Sequence, residues 1–391
     1  MHNYPIRILF VLSLFLVVLS GCTKENTVTP SESEQKYQYQ IPEATNDGWT
    51  IGHLADFDIE EPRISRMVQQ IIDGVYPGID SISIVRHNTL LLHQDFRDEL
   101  SQYDDWVGNR DLERHLMHST SKSVVSALFG IAHDQGFIPD LSAPLLKQFN
   151  YSFYQNWSEQ KENITLEDTL TMRLGLQWDE WSYPFADAQN SLTDLSENNS
   201  DFVKALLDLP MDSSPGTTYA YNTVASIALG AVIQNKTGIP LKDFAQTFLF
   251  DPLQINRADW HMTPTGLANT GSGLFLKTRD MAKFGQLYLN NGQWNGMQLI
   301  SKQWVEKSLR KSVDLHLDYA SGYGYQWWLG EFDDTDHKTS FYSTRGHGGQ
   351  FIIIIPNYDL IIAFTGHNYT NDLQNLPFKL VEQYILPSIQ F

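Results

Sequence analysis

Cysteine is all but missing from the chain: one residue, Cys22, in 391. A single thiol supports no disulfide framework, so packing alone must hold the core. Positive charge is scarce too, with 27 Lys and Arg against 46 Asp and Glu and a net charge of −19. The basic footprint that nucleic acids demand is therefore absent, and the acid excess reads first as a device for solubility. The apolar run from Ile8 to Leu19 falls short of the ~20 residues of a comfortable membrane span. There is no internal repeat. What remains is globular in kind, with 42% hydrophobic and 19% charged residues. The length suits one large domain, or a domain carrying a big insertion.

The Ile8–Leu19 run has signal-peptide length, follows Arg7, and ends in Leu19-Ser20-Gly21-Cys22. This resembles a bacterial lipobox, in which Cys22 is lipidated and becomes the mature N-terminus. Residues 1–22 are thus expected to be a lipoprotein signal, and no thiol is left over for catalysis. Thr23 is not the aspartate that retains some lipoproteins at the inner membrane, so an outer-membrane anchor is expected. Residues 23–47 are expected to be a flexible tether, since Thr23 to Gln40 is polar and shows no apolar period. Order is expected from Gly48-Trp49, giving a domain over 48–391.

Asp80–Arg86 and Thr89–Asp95, parted by His87-Asn88, read as a β-hairpin. Gln350–Ile355 and Leu360–Thr365, flanking Pro356 to Asp359, read as another. The unbroken apolar run Phe351–Ile355 marks a strand covered on both faces. Between the hairpins, helical periods predict helices over Ser121–Gln135, Val224–Thr237, Thr278–Asn290 and Ser301–Ser308, and a terminal one over Leu373–Leu386. Strands first and last with helices between predict an α/β (α+β) fold: one antiparallel sheet built from both chain ends, with a large helical region inserted.

A serine and a lysine at i, i+3 face each other one helical turn apart, and a desolvated lysine is able to take the serine proton. The pattern recurs at Ser33, Ser158 and Ser308. Of the four, Ser119-Thr120-Ser121-Lys122 alone opens a buried-looking helix, where free N–H groups and the helix dipole favour an oxyanion. A plain helix cap is the structural alternative for Ser119. Tyr221 follows a Pro215-Gly216 turn and precedes a helix; near Lys122 its phenolate would be stabilised as a general base, and otherwise it is a packed aromatic. His347-Gly348-Gly349-Gln350 leads into the apolar strand, where small residues let a substrate lie against the strand edge. The other reading is a glycine-rich turn with a surface histidine. His115 and His118 have the spacing of a metal pair on one helix face, but no third ligand is near, so no metal is expected.

Ser-x-x-Lys, a tyrosine after Pro-Gly and His-Gly-Gly, in that order, resemble the serine β-lactamase and penicillin-binding-protein superfamily. The likeness is to its class-C-like branch, with its carboxylesterases and nylon-oligomer (6-aminohexanoate-dimer) hydrolases. Ile164–Met172, Lys277–Gly285, Tyr323–Trp328 and Gly348–Phe351 add to it. The resemblance implies Ser119 as nucleophile, Lys122 as its activator and Tyr221 as general base or proton shuttle. It implies the N–H groups of Ser119 and Gln350 as oxyanion hole, and His347, with Gly348 and Gly349, where relatives have Lys-Thr-Gly. Water would resolve an acyl-enzyme with no cofactor. Two departures weigh against a penicillinase. Thr223 stands in the slot of the usual asparagine, because Asn222 comes one position early, and His347 replaces a lysine; Arg345 is the candidate to supply the missing charge. The expected activity is hydrolysis of small esters or short amides. The alternatives are a D,D-carboxypeptidase or class-C-like β-lactamase, and a non-catalytic module that binds cell-wall or β-lactam ligands.

Overall fold

The computed structural model describes residues 36–104, 111–333, 338–370 and 372–390. The expected leader, Cys22 and residues 23–35 of the expected tether lie outside them. The domain starts at Tyr37 rather than Gly48. The Tyr37 N–H donates to Gln69 Oε1 (2.6 Å) and the Tyr39 hydroxyl to the Leu91 carbonyl (2.7 Å). Arg279 donates to Asp47, Thr45 and the Glu43 carbonyl. A few anchoring side chains suffice to dock a segment whose composition reads as a linker.

Among the described residues one sheet holds nine strands, in the order Thr50–Ile51, Thr89–Asp95, Ile79–Arg86, Leu360–Gly366, Gln350–Ile355, Lys338–Gly346, Trp328–Asp333, Ala320–Tyr323 and Val313–Leu317. Neighbours are antiparallel apart from the first pair. Both expected hairpins are present, and their pairing brings the two chain ends together at the sheet centre. His87 and Asn88 take φ of 49° and 58°, the two left-handed residues that a tight hairpin turn requires. Along the apolar strand, Ile352 and Ile354 face the core beneath the helical region. Phe351, Ile353 and Ile355 face a second core, shared with the helix Glu61–Ile72 and the C-terminal helical turns. The run is continuous because both faces are covered.

Four strands between Val313 and Gly346 escape the sequence reading. In Trp328–Asp333 the inward register is Trp328, Gly330, Phe332; Gly330 is small because a Cβ there would run into the Phe341 ring, and it blanks the alternation. The helix Ser121–Asp134 begins as expected but is buried all round from Ser121 to Ala132, not along one stripe. Its polar positions are absorbed internally: the Ser123 hydroxyl donates to the Gln326 carbonyl (2.6 Å). Ser308 is buried as well and donates to the Trp304 carbonyl within its own helix Lys302–Ser308. The terminal helix is broken, with an α-turn over Leu376–Leu380, a wider turn over Val381–Ile385 and a tight one over Leu386–Ser388. No helix among the described residues is long and apolar enough to cross a membrane.

Candidate active site

Ser119 lies in a short 3₁₀ turn, His118–Thr120, that runs directly into the helix Ser121–Asp134. The turn is pinned on two sides. The Met117 N–H donates to the Leu274 carbonyl (2.7 Å). The Thr120 hydroxyl donates to the Gln350 carbonyl (2.9 Å), tying the serine's turn to the head of the apolar strand. His118, just before the serine, takes φ of 46°, a left-handed conformation that a histidine adopts only when its surroundings fix it.

Lys122 Nζ stands 2.9 Å from Ser119 Oγ and donates to Thr223 Oγ1 (2.9 Å) and to the Gly271 carbonyl (2.8 Å). The side chain is buried, and burial pulls its amine from the ordinary 10.5 down to about 8 although Glu180 pulls the other way. That displacement is worth on the order of 3 kcal/mol against an exposed lysine. Gly271 has to be glycine, since a Cβ would sit 2.5 Å from the Thr223 carbonyl oxygen.

Tyr221 lines the same cleft as Ser119. The Lys122 amine lies over its ring, 4.8 Å from the centroid. The expected phenolate is not favoured here. Burial first, and Glu180 second, push the phenol well above its ordinary value, so Tyr221 stands as a proton donor in the resting site. Trp181 stacks on its ring (5.1 Å, 25°), and Trp328 lies beside both.

Thr223 is not placed to hold a substrate. It is buried, accepts from Lys122, and gives its own proton to Glu180 (2.5 Å). Asn222 turns away as expected, capping the helix Thr223–Thr237 by accepting from the Ala225 N–H (2.8 Å). Gly348 and Gly349 are buried too, and are glycine for reasons other than substrate approach. Both have left-handed φ (84° and 109°), and a Cβ on Gly348 would run into the Tyr369 ring. The Gln350 side chain is spent on the His347 and Gly366 carbonyls (3.3 and 2.5 Å), so its backbone is what it offers the site.

A cleft of about 600 Å³ opens over Ser119, walled by Trp181, Tyr221 and Trp328 on one side and by Phe185 and His347 on another. His118 and His347 meet edge to face (5.6 Å) within a set of rings that includes Tyr103 and Tyr369. Burial pulls His118 down to about 3 and lowers His347, so both are neutral at pH 7. Arg345 also lines the cleft. Its guanidinium lies against Trp328 and Phe378 and donates to the carbonyls of Asp318 and Tyr319. His115 and His118 do not share a helix face. His115 is on the strand Arg114–Leu116 and bonds Thr365 (3.1 Å). No metal-holding cluster occurs among the described residues.

The sequence reading missed Glu180. It is buried in the loop before Ser191 and accepts from the Thr223 N–H (2.7 Å), the Thr223 hydroxyl and Trp178 Nε1 (3.2 Å). An acidic residue set between Trp178 and Trp181 was its one visible signal.

A beta-lactamase family model matches residues 64–382. A 6-aminohexanoate-dimer hydrolase of Paenarthrobacter ureafaciens is 24% identical over 64% of this chain and 65% of its own length. This chain spans less than two thirds of the curated relatives it matches. A family VIII carboxylesterase superimposes with a TM-score of 0.63 at 15% identity, covering 89% of this chain and 100% of that one. A beta-lactamase/D-alanine carboxypeptidase of Yersinia pestis does so with a TM-score of 0.61 at 15% identity, over 83% and 98%. These likenesses establish the fold, and the family match over most of the chain establishes membership: the chain belongs to the beta-lactamase family, whose members here are hydrolases of amide and ester bonds.

Proposed function

We propose that this chain is an exported hydrolase that cleaves small esters or short amides through an acyl-enzyme on Ser119. The observation that carries it is the 2.9 Å approach of Ser119 Oγ to a buried lysine amine whose pKa is drawn down to about 8. Neutral Lys122 takes the Ser119 proton as the oxygen attacks the carbonyl carbon. The N–H groups of Ser119 and Gln350 receive the oxyanion, a role supported by the Thr120–Gln350 bond that holds their two segments together. The Tyr221 phenol gives its proton to the leaving group and recovers one from the Lys122 ammonium. Water then attacks the acyl carbon and restores Ser119. His347, lowered by burial, and the aromatic rings along the cleft favour uncharged acyl and leaving groups. Export and lipidation at Cys22 rest on the leader sequence alone, and loss of radiolabelled palmitate from Cys22→Ser tests them.

One observation favours the second reading, a D,D-carboxypeptidase or β-lactamase. Among the described residues, Arg345 lines the cleft and its hydrogen bonds go to backbone carbonyls, with the Asp318 carboxylate acting on it but forming no ion pair, which leaves charge for a substrate carboxylate. Turnover of neutral p-nitrophenyl esters and linear amides, set beside β-lactams and peptides ending in D-alanyl-D-alanine, separates the two. Preference for the neutral set supports the proposal. Preference for the carboxylates, lost in Arg345→Ala, replaces it with the second reading.

A further inference from the structure

Lys122 has three neighbours in hydrogen-bond range: Ser119, Thr223 and the Gly271 carbonyl. A neutral amine has two N–H groups and one lone pair, and it serves Ser119 only if the lone pair faces the serine. The Gly271 carbonyl is an acceptor by nature and takes one N–H. A threonine hydroxyl is an acceptor or a donor, so Thr223 is the point at which the arrangement can go wrong. Were Thr223 to donate to Lys122, it would occupy the lone pair and turn an N–H toward Ser119.

Glu180 settles this. Its two carboxylate oxygens receive the two donors of Thr223: Oε1 takes the hydroxyl proton (2.5 Å) and Oε2 the backbone N–H (2.7 Å). Trp178 Nε1 donates to Oε2 as well. Burial, the largest influence, raises the carboxyl above its ordinary value, while Lys122 and these three donors favour the carboxylate. The Thr223 proton thus points away from Lys122, and Thr223 is left with acceptor capacity alone.

Resting on the acyl-enzyme reading above, we infer that Glu180 is a positioning residue that acts through Thr223, fixing the direction of the chain Glu180–Thr223–Lys122–Ser119 so that the lysine lone pair meets the nucleophile. Its charge also favours the ammonium that forms once the serine proton has moved. The role parallels that of the buried aspartate behind the histidine of a Ser-His-Asp triad, with a hydroxyl interposed. No bond is made or broken at Glu180, and the transferred proton stays on Lys122 until Tyr221 recovers it.

The other groups facing Lys122 do not supply this function. Tyr221 presents its ring face, and His118, on the lysine's own turn, is neutral across the working range. Tyr219, Tyr221 and Tyr323 stand around Glu180, each held as a neutral phenol chiefly by burial. His347 and Arg345 lie across the cleft.

The test is the pH dependence of fluorophosphonate labelling at Ser119 in the wild type, Glu180→Gln, Glu180→Asp, Thr223→Val and the Glu180→Gln/Thr223→Val double variant, each checked for folding by circular dichroism. Glutamine has one oxygen for these three donors and carries no charge. Glu180→Gln is expected to lose roughly 10–100-fold of the plateau rate and to move the midpoint of the profile to lower pH, because Lys122 loses its anionic neighbour. Glu180→Asp restores the midpoint. The double variant falls no further than the worse single one, since both act on one chain. Titration of the Lys122 Nζ by NMR in wild type and Glu180→Gln reads the same shift without any catalysis, so failure of the acyl-enzyme reading is told apart from failure of this one. An unmoved midpoint and an unmoved Nζ titration in folded Glu180→Gln, or losses that multiply in the double variant, overturn the inference.

Discussion

At Lys122 two demands conflict. Water would keep its amine charged, and the proposed reaction needs it neutral. Burial resolves the conflict by drawing the amine to about 8, which leaves roughly a tenth of it neutral at pH 7. The labelling rate of Ser119 should therefore rise about tenfold per pH unit below 8 and level off above it, as followed by intact mass across pH 6–10. A midpoint set by a histidine is not expected, because His118 and His347 are both displaced downward. The same displacement has a sign for stability. Between about 8 and 10.5 an unfolded lysine still holds its proton while the folded one has released it, so this group's contribution to stability rises with pH in that window. Ser119 and Lys122 were legible in the sequence because their contact is local, one helical turn apart. Tyr221 was legible through its turn, but its protonation was not, since that depends on burial by Trp181 and Trp328 from distant segments. Glu180 and Gly271 were not legible, because each meets the site only through a long-range contact with Thr223 or Lys122.

The elements were readable wherever an apolar segment was bounded by turn residues. The two hairpins and the helices after Ser119 and Asn222 are of that kind. The strands between Val313 and Gly346 were not, because glycines take inward positions where the sheet is crowded by Phe341 and Lys311. The helix after Ser119 shows how tight this crowding is. Gly130 lies under the Trp304 ring, whose Nε1 donates to the Ser126 carbonyl (3.1 Å). A methyl group at that position has to displace an indole that is itself buried. Gly130→Ala should therefore destabilise the fold by about 1–3 kcal/mol despite alanine's better helix propensity. Urea denaturation checks the magnitude, and a neutral or stabilising result would show that the helix and Trp304 are free to move apart.

Across the described residues, two cores on opposite faces of one sheet hold the Ser119 turn where the helical region meets the apolar strand. The segment from Tyr37 to Asp47 belongs to this body through Gln69, Leu91 and Arg279. A chain that begins at Gly48 leaves the buried Arg279 without Asp47, Thr45 and the Glu43 carbonyl. It should unfold about 1–3 kcal/mol more easily than one that begins at Tyr37, by denaturant midpoint; equal midpoints would return the segment to the role of a tether. The acyl-enzyme itself is tested most directly by intact-mass labelling of residues 23–391 with a fluorophosphonate, beside Ser119→Ala and Lys122→Ala. The expected result is a single adduct on the wild type, absent from Ser119→Ala and slow to form on Lys122→Ala. No adduct on folded wild-type protein, or an adduct that survives Ser119→Ala, would contradict it.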